Sequence, residues 1–189
     1  MRKSRGIGLL ILAIAIGFTI ELATNSVGSD DALLKLGALP DNGQLHGQYW
    51  RVGAYSFLHF DWLHLALNVG LLFLIGRVVE AQVGTGRGAV IYFVSVIFSA
   101  TAILLVHNWH PKEGATVGAS GGIFGLLGAA LILAYRRSDN ARLRGRLWLV
   151  LLIAFGISFL PNVSMAGHIG GILGGVATAL LINKRRNES

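Results

Sequence analysis

Six apolar stretches alternate with the charged segments of this 189-residue chain. They cover residues 6–23, 62–83, 88–106, 120–135, 147–160 and 165–183. A straight helix needs about 20 apolar residues to cross roughly 30 Å of hydrocarbon, so the second and third stretches are long enough, whereas the fourth and fifth are short. Composition agrees, because 53% of the residues are hydrophobic and 13% are charged, which is unusual for a soluble domain. The sequence predicts an all-α membrane protein that forms a six-transmembrane-helix bundle.

The basic residues are divided unevenly between the two sides of such a bundle. If six helices alternate in direction, only Lys35, Arg51 and Lys112 lie on one side, and all other Lys and Arg residues lie on the opposite side. Because cytoplasmic segments are enriched in Lys and Arg, both termini are predicted to be cytoplasmic, in a plasma or inner cell membrane. Residues 24–61 and the loops around Lys112 and Asn162 are then outward. An N-terminal signal peptide is an alternative reading of the first stretch.

Several other classes of protein do not fit. The formal net charge is +7, but the Lys and Arg residues are dispersed between apolar runs and do not form the basic face of a nucleic-acid-binding protein. The chain has no cysteine, which rules out disulfides, zinc–thiolate sites and thiol catalysis. No linker or obvious repeat is present. Residues 1–189 are therefore predicted to form a single membrane domain with one long outward loop, residues 24–61.

Four polar side chains lie in or at the ends of the predicted membrane helices: His64, Asn68, Ser120 and His168. Ionisable and amide groups are costly inside a bilayer, so each one is a candidate functional residue. His64 and Asn68 are four residues apart and share one face of the second helix. Under the predicted topology, all four residues lie near the outward ends of their helices. Three separate segments of the chain are thus predicted to place polar side chains at the same depth in the membrane.

The short fourth helix predicts that Ser120 lies below the membrane surface. Residues 120–135 span only ~24 Å at 1.5 Å per residue, so the chain must dip into the membrane before Ser120. Backbone at that depth is tolerated when it is buried in protein or lines a wet cavity. Ser120 would also have unpaired backbone N–H groups and the positive end of the helix dipole beside it. These groups can stabilise an oxyanion.

These residue types favour serine hydrolase chemistry. A serine nucleophile needs a base, and His168 is the plausible one in the membrane interior. His64 and Asn68 can donate hydrogen bonds to the same developing negative charge. Simpler interpretations remain open, because a serine can bond back to its own helix and Asn68 can join helices.

Two further patterns carry less weight. His59, His64, His107 and His110 could bind a metal, but no helical Asp or Glu accompanies them and their spacing matches no zinc motif. We therefore expect neither a metal nor another cofactor. Residues 118–122 fit G-x-S-x-G, but the nucleophile elbow of that pattern must follow a strand in a soluble sheet.

In their order along the chain, these residues resemble the rhomboid family of intramembrane serine proteases. The similarity includes Trp50-Arg51, the pattern H-x4-H-x3-N that ends at Asn68, the G-A-S-G of residues 118–121, and H-x2-G-x3-G from His168 onward. In combination, the last three patterns are specific for this family. The resemblance implies a six-helix fold, with Ser120 as nucleophile and His168 as base, and without an acidic third member.

Other site residues are implied by the same resemblance. An oxyanion hole would be formed by His64, Asn68 and the Ser120 backbone. His59, Gly118 and Gly121 would shape the site, and Phe124 stands where some members have a Tyr that stacks on the catalytic His.

The resemblance further implies that the substrate is a transmembrane segment of a single-span or multi-span membrane protein, which enters near the second and fifth helices. It also implies that Glu80 occupies a position with a structural role in the family. The bilayer is the other implied partner, no nucleic acid is expected, and the oligomeric state stays open. The competing functions are a non-catalytic rhomboid-like protein that binds membrane helices and, more remotely, a transporter or channel.

Overall fold

The computed structural model describes residues 5–137, 140–159 and 163–184, and within them the chain is mainly helical. Asn162, the end of the fifth apolar stretch at residue 160, and the terminal basic residues Arg2, Lys3, Arg185 and Arg186 lie outside the described residues. The helices are α1 (Arg5–Ala23), α2 (Asp30–Leu36), α3 (Arg51–Ala54), α4 (Trp62–Val83), α5 (Thr85–Trp109), α6 (Ser120–Arg137), α7 (Ala141–Ile157) and α8 (Met165–Lys184). A 3₁₀ helix (Tyr55–Phe57) follows α3, and two short strands, β1 (Leu39–Pro40) and β2 (Ala115–Thr116), pair antiparallel.

Four of the described helices, α1, α4, α5 and α8, are long and apolar enough to cross a membrane. Helix α6 contains a shorter apolar stretch, Ser120–Arg136, and α7 has 17 residues. These two are the helices that correspond to the short fourth and fifth apolar stretches of the sequence. The protein is thus a multi-pass membrane protein, and the count of six spans stays a prediction.

Helix α6 occupies the centre of the bundle. Every residue from 121 to 131 is buried, and α6 packs against α4, α5, α7 and α8. A Cβ at Gly171 or Gly175 of α8 would collide with the backbone of Gly121 or Gly125 of α6. Small residues let membrane helices approach backbone to backbone. The two glycine pairs therefore hold the N-terminal halves of α6 and α8 side by side.

The long segment between α1 and α4 is folded around a central arginine. The guanidinium of Arg51 donates to the backbone carbonyls of Leu34 and Ala38 at 2.6 and 2.8 Å, and to the side chain of Gln48 at 2.7 Å. These bonds connect α3 with the end of α2 and with the turn before β1. Buried backbone carbonyls need such partners, and one side chain supplies two of them here.

The same segment anchors the chain that leads into α6. Strand β1 pairs with β2, with Leu39 opposite Thr116. Asp41, just after β1, accepts a hydrogen bond from the Thr116 hydroxyl at 2.6 Å and lies 3.3 Å from Lys112 Nζ and 3.2 Å from His107 Nδ1. Four residues beyond Thr116 the chain reaches the start of α6, so the position of that start depends on these contacts.

A carboxylate near the other end of the bundle caps the first helix. Glu80 of α4 is 5% exposed and accepts hydrogen bonds from the backbone N–H groups of Gly6 at 2.9 Å and Ile7 at 3.4 Å. The Thr85 hydroxyl donates to the same carboxylate. N–H groups in the first turn of a helix have no partner within the helix and favour a negative charge. Through these hydrogen bonds Glu80 connects the start of α1 with the turn between α4 and α5.

We predict that Glu80→Ala lowers the thermal stability of the detergent-solubilised protein. The substitution leaves the buried N–H of Ile7 and the part-buried N–H of Gly6 without their acceptor, and a buried unsatisfied group costs about 1–3 kcal/mol. The exposed Glu113 offers a matched control, because Glu113→Ala removes a carboxylate that is open to solvent. Melting temperatures that fall equally in both variants would contradict the capping role.

Candidate active site

Ser120 and His168 lie within hydrogen-bonding distance of each other. Ser120 is the first residue of α6, and His168 lies in the first turn of α8. The distance between Ser120 Oγ and His168 Nε2 is 3.0 Å. His168 is 5% exposed and Ser120 is half-buried. This arrangement of a hydroxyl and an imidazole is the geometry that an activated serine nucleophile requires.

The ring of His168 is held on its other sides by two residues. Phe124, one turn into α6, stacks on it with ring centroids 3.9 Å apart and planes 13° from parallel. The hydroxyl of Ser158 at the end of α7 lies 2.6 Å from His168 Nδ1. Both ring nitrogens thus face a serine hydroxyl. The stacking position of Phe124 agrees with its place in the sequence pattern, whereas Ser158 was not predicted.

His64 lies next to Ser120 across a glycine. A Cβ placed on Gly118 would be 2.7 Å from His64 Nε2 and 3.9 Å from Ser120 Oγ. Gly118 also has a φ of +124°, a conformation that glycine adopts without a steric penalty. Both the backbone conformation and the narrow space therefore require glycine here. The imidazole of His64 is close enough to the hydroxyl of Ser120 for both to reach one bound group.

Asn68 lies one turn further along α4 and is 5% exposed. Its side-chain N–H donates to the backbone carbonyl of His64 at 2.8 Å. An Asn amide carries two N–H donors, so this bond uses one of them. This bond stays within α4, whereas the simpler interpretation of Asn68 was that its amide joins two helices. Donation to an oxyanion stays a prediction.

His59 is fully buried behind His64. The two imidazole rings meet edge to face with centroids 5.1 Å apart, and the backbone N–H of His59 donates to the carboxylate of Glu21 in α1 at 3.0 Å. Burial, reinforced by the positive charge of a protonated His64, lowers the pKa of His59 to about 3. An imidazole with so low a pKa is neutral at physiological pH. His59 thus supports His64 as an uncharged side chain.

Gly121 makes room for α5 beneath the serine. A Cβ at this position would collide with the hydroxyl of Ser99 and lie 3.2 Å from the Tyr55 hydroxyl. Tyr55 is itself buried and donates to the backbone carbonyl of Val96 at 3.1 Å. The glycine therefore sets how closely α5 and the 3₁₀ helix approach the first turn of α6.

The histidines considered for a metal are divided between different surroundings. His59 and His64 pack on each other, whereas His107 faces Asp41. Within residues 5–137, 140–159 and 163–184, no three His, Asp or Glu side chains converge as metal ligands would.

Comparisons with known proteins show which family the chain is similar to. A family model described as Rhomboid domain matches residues 46–185. The chain is 32% identical over 173 residues to "Rhomboid protease GluP" of Bacillus subtilis (strain 168), which covers 90% of this chain and 33% of that protein. It is 29% identical over 149 residues to "Putative rhomboid protease YdcA" of the same organism, covering 77% of this chain and 73% of the relative.

Not every relative is named as active. "Inactive RHOMBOID-like protein 8" of Arabidopsis thaliana is 32% identical over 141 residues, which cover 72% of this chain and 38% of that protein. The chain spans only about a third of the length of GluP and of this plant protein. The family model nevertheless covers most of the chain, from residue 46 to residue 185, and the chain therefore belongs to the rhomboid family.

Proposed function

We propose that this protein is an intramembrane serine endopeptidase that cleaves transmembrane segments of membrane proteins through an acyl-enzyme. The observation that carries the proposal is the 3.0 Å separation of Ser120 Oγ and His168 Nε2 at the first turns of two neighbouring apolar helices. Relatives named as rhomboid proteases support the same activity. Because one relative is named inactive, the residues at the site matter more than family membership.

In the acylation step, His168 Nε2 accepts the proton of Ser120 while Ser120 Oγ attacks the carbonyl carbon of the scissile peptide bond. The carbonyl oxygen becomes an oxyanion, which accepts hydrogen bonds from His64, Asn68 and the backbone N–H of Ser120. His168 then gives its proton to the leaving nitrogen, and the C–N bond breaks. The product with the new amino terminus leaves, and an ester remains on Ser120.

In the deacylation step, His168 accepts a proton from a water molecule, which attacks the ester carbonyl. Collapse of the second tetrahedral intermediate breaks the ester bond and returns the proton to Ser120. Phe124 keeps the imidazole plane fixed through both steps. His59, Gly118 and Gly121 shape the surroundings: His59 packs on His64, Gly118 leaves room for the His64 imidazole, and Gly121 lets α5 approach beneath Ser120.

We further propose a single six-helix domain over residues 1–189, with the folded segment 24–61 outward and both termini cytoplasmic in a plasma or inner membrane. The charge bias of the loops supports this orientation. The substrates are single-span or multi-span membrane proteins that enter from the bilayer between α4 and α7. Helix α7 carries large apolar side chains on its exposed surface, since Leu149, Leu152 and Ile153 are 58%, 65% and 59% exposed.

The alternative is a non-catalytic rhomboid-like protein that binds membrane helices or serves quality control, as the relative named inactive suggests. Such a protein has no need of a serine hydroxyl beside an imidazole. The retention of Ser120 and His168 at hydrogen-bonding distance favours the protease.

We predict that Ser120→Ala and His168→Ala each reduce cleavage of a labelled single-span substrate by at least ~10³-fold in detergent. The two side chains act as one proton-transfer unit, so the double variant should be no worse than either single variant. His110→Ala, which removes an exposed imidazole, is the control and should cleave normally. Normal cleavage by either of the first two variants would end the assignment.

We also predict that Lys112 faces outward. In this cysteine-free chain, Lys112→Cys should react in intact cells with a membrane-impermeant maleimide. Arg142→Cys, in the exposed first turn of α7, should react only after the cells are permeabilised. The reverse pattern would overturn the orientation.

A further inference from the structure

We infer that Ser158 is a positioning residue that holds neutral His168 in the tautomer able to accept the proton of Ser120. The consequence for turnover rests on the proposed protease function, whereas the tautomer itself can be measured without any substrate. The resemblance to the family implied only a serine and a histidine. A hydroxyl at the second ring nitrogen adds a third member to this pair.

The three side chains come from three different helices. Ser120 begins α6, Ser158 is the C-cap residue of α7, and His168 lies in the first turn of α8. Ser158 is 3% exposed and His168 is 5% exposed. The hydroxyl of Ser158 is 2.6 Å from His168 Nδ1, and Nε2 on the opposite side of the ring is 3.0 Å from Ser120 Oγ. Ser158 and the Nδ1 side of the ring are therefore largely shielded from solvent, whereas Nε2 faces the half-buried Ser120.

A backbone carbonyl offers the Ser158 hydroxyl proton an acceptor other than the imidazole. The Ser158 hydroxyl lies 3.5 Å from the carbonyl oxygen of Ala154, one turn earlier in α7, a longer contact than the 2.6 Å to His168 Nδ1. In the arrangement that we infer, the hydroxyl proton is directed to this carbonyl, which can only accept, and a lone pair of Oγ faces Nδ1. The neutral imidazole then carries its proton on Nδ1 and donates it to Ser158. Nε2 is left with the lone pair that accepts the proton of Ser120.

A hydroxyl suits this position better than a carboxylate would. Nδ1 must keep its proton in a buried site at the end of a membrane helix, where an ionised Asp would carry a large desolvation cost. A serine orients the ring and selects the tautomer without a net charge. It stabilises the imidazolium less than an acid does, so we expect its loss to weaken catalysis without abolishing it.

The competing interpretation is that Ser158 only completes the end of α7. Its hydroxyl would then stabilise the helix terminus through Ala154, and the contact with His168 would be incidental. Removal of the hydroxyl would in that case lower the melting temperature and leave the state of His168 unchanged. A measurement of the His168 tautomer separates the two roles.

The test compares Ser158→Ala with Ser158→Thr, which retains a hydroxyl, and with Thr178→Val as a control. Thr178 is also buried and donates to a carbonyl four residues earlier, that of Gly174, at 2.7 Å. The tautomer is read from ¹⁵N NMR of histidine-labelled protein in micelles, with His168 assigned by its own substitution. Turnover is measured on the same preparations with a labelled single-span substrate.

In the wild type and in Ser158→Thr, Nδ1 of His168 should be protonated and Nε2 bare. In Ser158→Ala this preference should be lost and kcat should fall by about 10- to 100-fold with little change in KM, comparable to the loss when the hydrogen-bond partner that orients a metal-bound histidine is removed. Thr178→Val should match the wild type in both measurements.

A wild-type His168 with a bare Nδ1, or a Ser158→Ala variant with unchanged tautomer and kcat, would overturn the inference. If Ser158→Ala does not fold, the inference is tested on the wild type and Ser158→Thr alone: a bare Nδ1 of His168 in either protein would overturn it. If the tautomer behaves as expected but the wild type cleaves no substrate, the positioning contact stands and the proposed function fails.

Discussion

The close packing of α6 on α8 is the contact on which the rest of the site depends. Gly171 and Gly175 lie against the backbone of Gly121 and Gly125, with no room for a Cβ. In a bilayer, helices associate through such packing and through hydrogen bonds, because the lipid is as apolar as the side chains. One consequence is the 3.0 Å separation of Ser120 and His168, since each lies within the first turn of one of these helices.

Elements outside this helix pair determine what surrounds the serine. The pairing of β1 with β2 and the contacts of Asp41 fix the chain that enters α6. Gly118, with its positive φ, then brings that chain past His64. On the far side, Phe124 and Ser158 hold the imidazole of His168. Helices α6, α7 and α8 therefore form one side of the site, and the loop that leads into α6 forms the other.

Much of this could be predicted from the sequence, because polar residues stand out in apolar stretches. His64, Asn68, Ser120 and His168 were recognisable as candidates for that reason. Ser158 was missed, since a lone serine near the end of an apolar stretch usually bonds to its own helix. Its contact with His168 depends on how α7 and α8 face each other, which sequence periodicity does not specify.

The contacts within the segment between α1 and α4 could not be predicted from the sequence either. The carbonyl partners of Arg51 are backbone groups, which any residue could supply, so no residue pattern marks them. The outward position of this loop stays a prediction from the charge bias, while its internal contacts required the three-dimensional structure.

The central claim, that His168 activates Ser120, is tested most directly by covalent labelling with a fluorophosphonate. The account predicts that the intact mass of the wild type increases by one adduct, which peptide mapping locates at Ser120, and that His168→Ala stays essentially unlabelled under the same conditions. Labelling of a different serine, or labelling of His168→Ala at the wild-type rate, would contradict it.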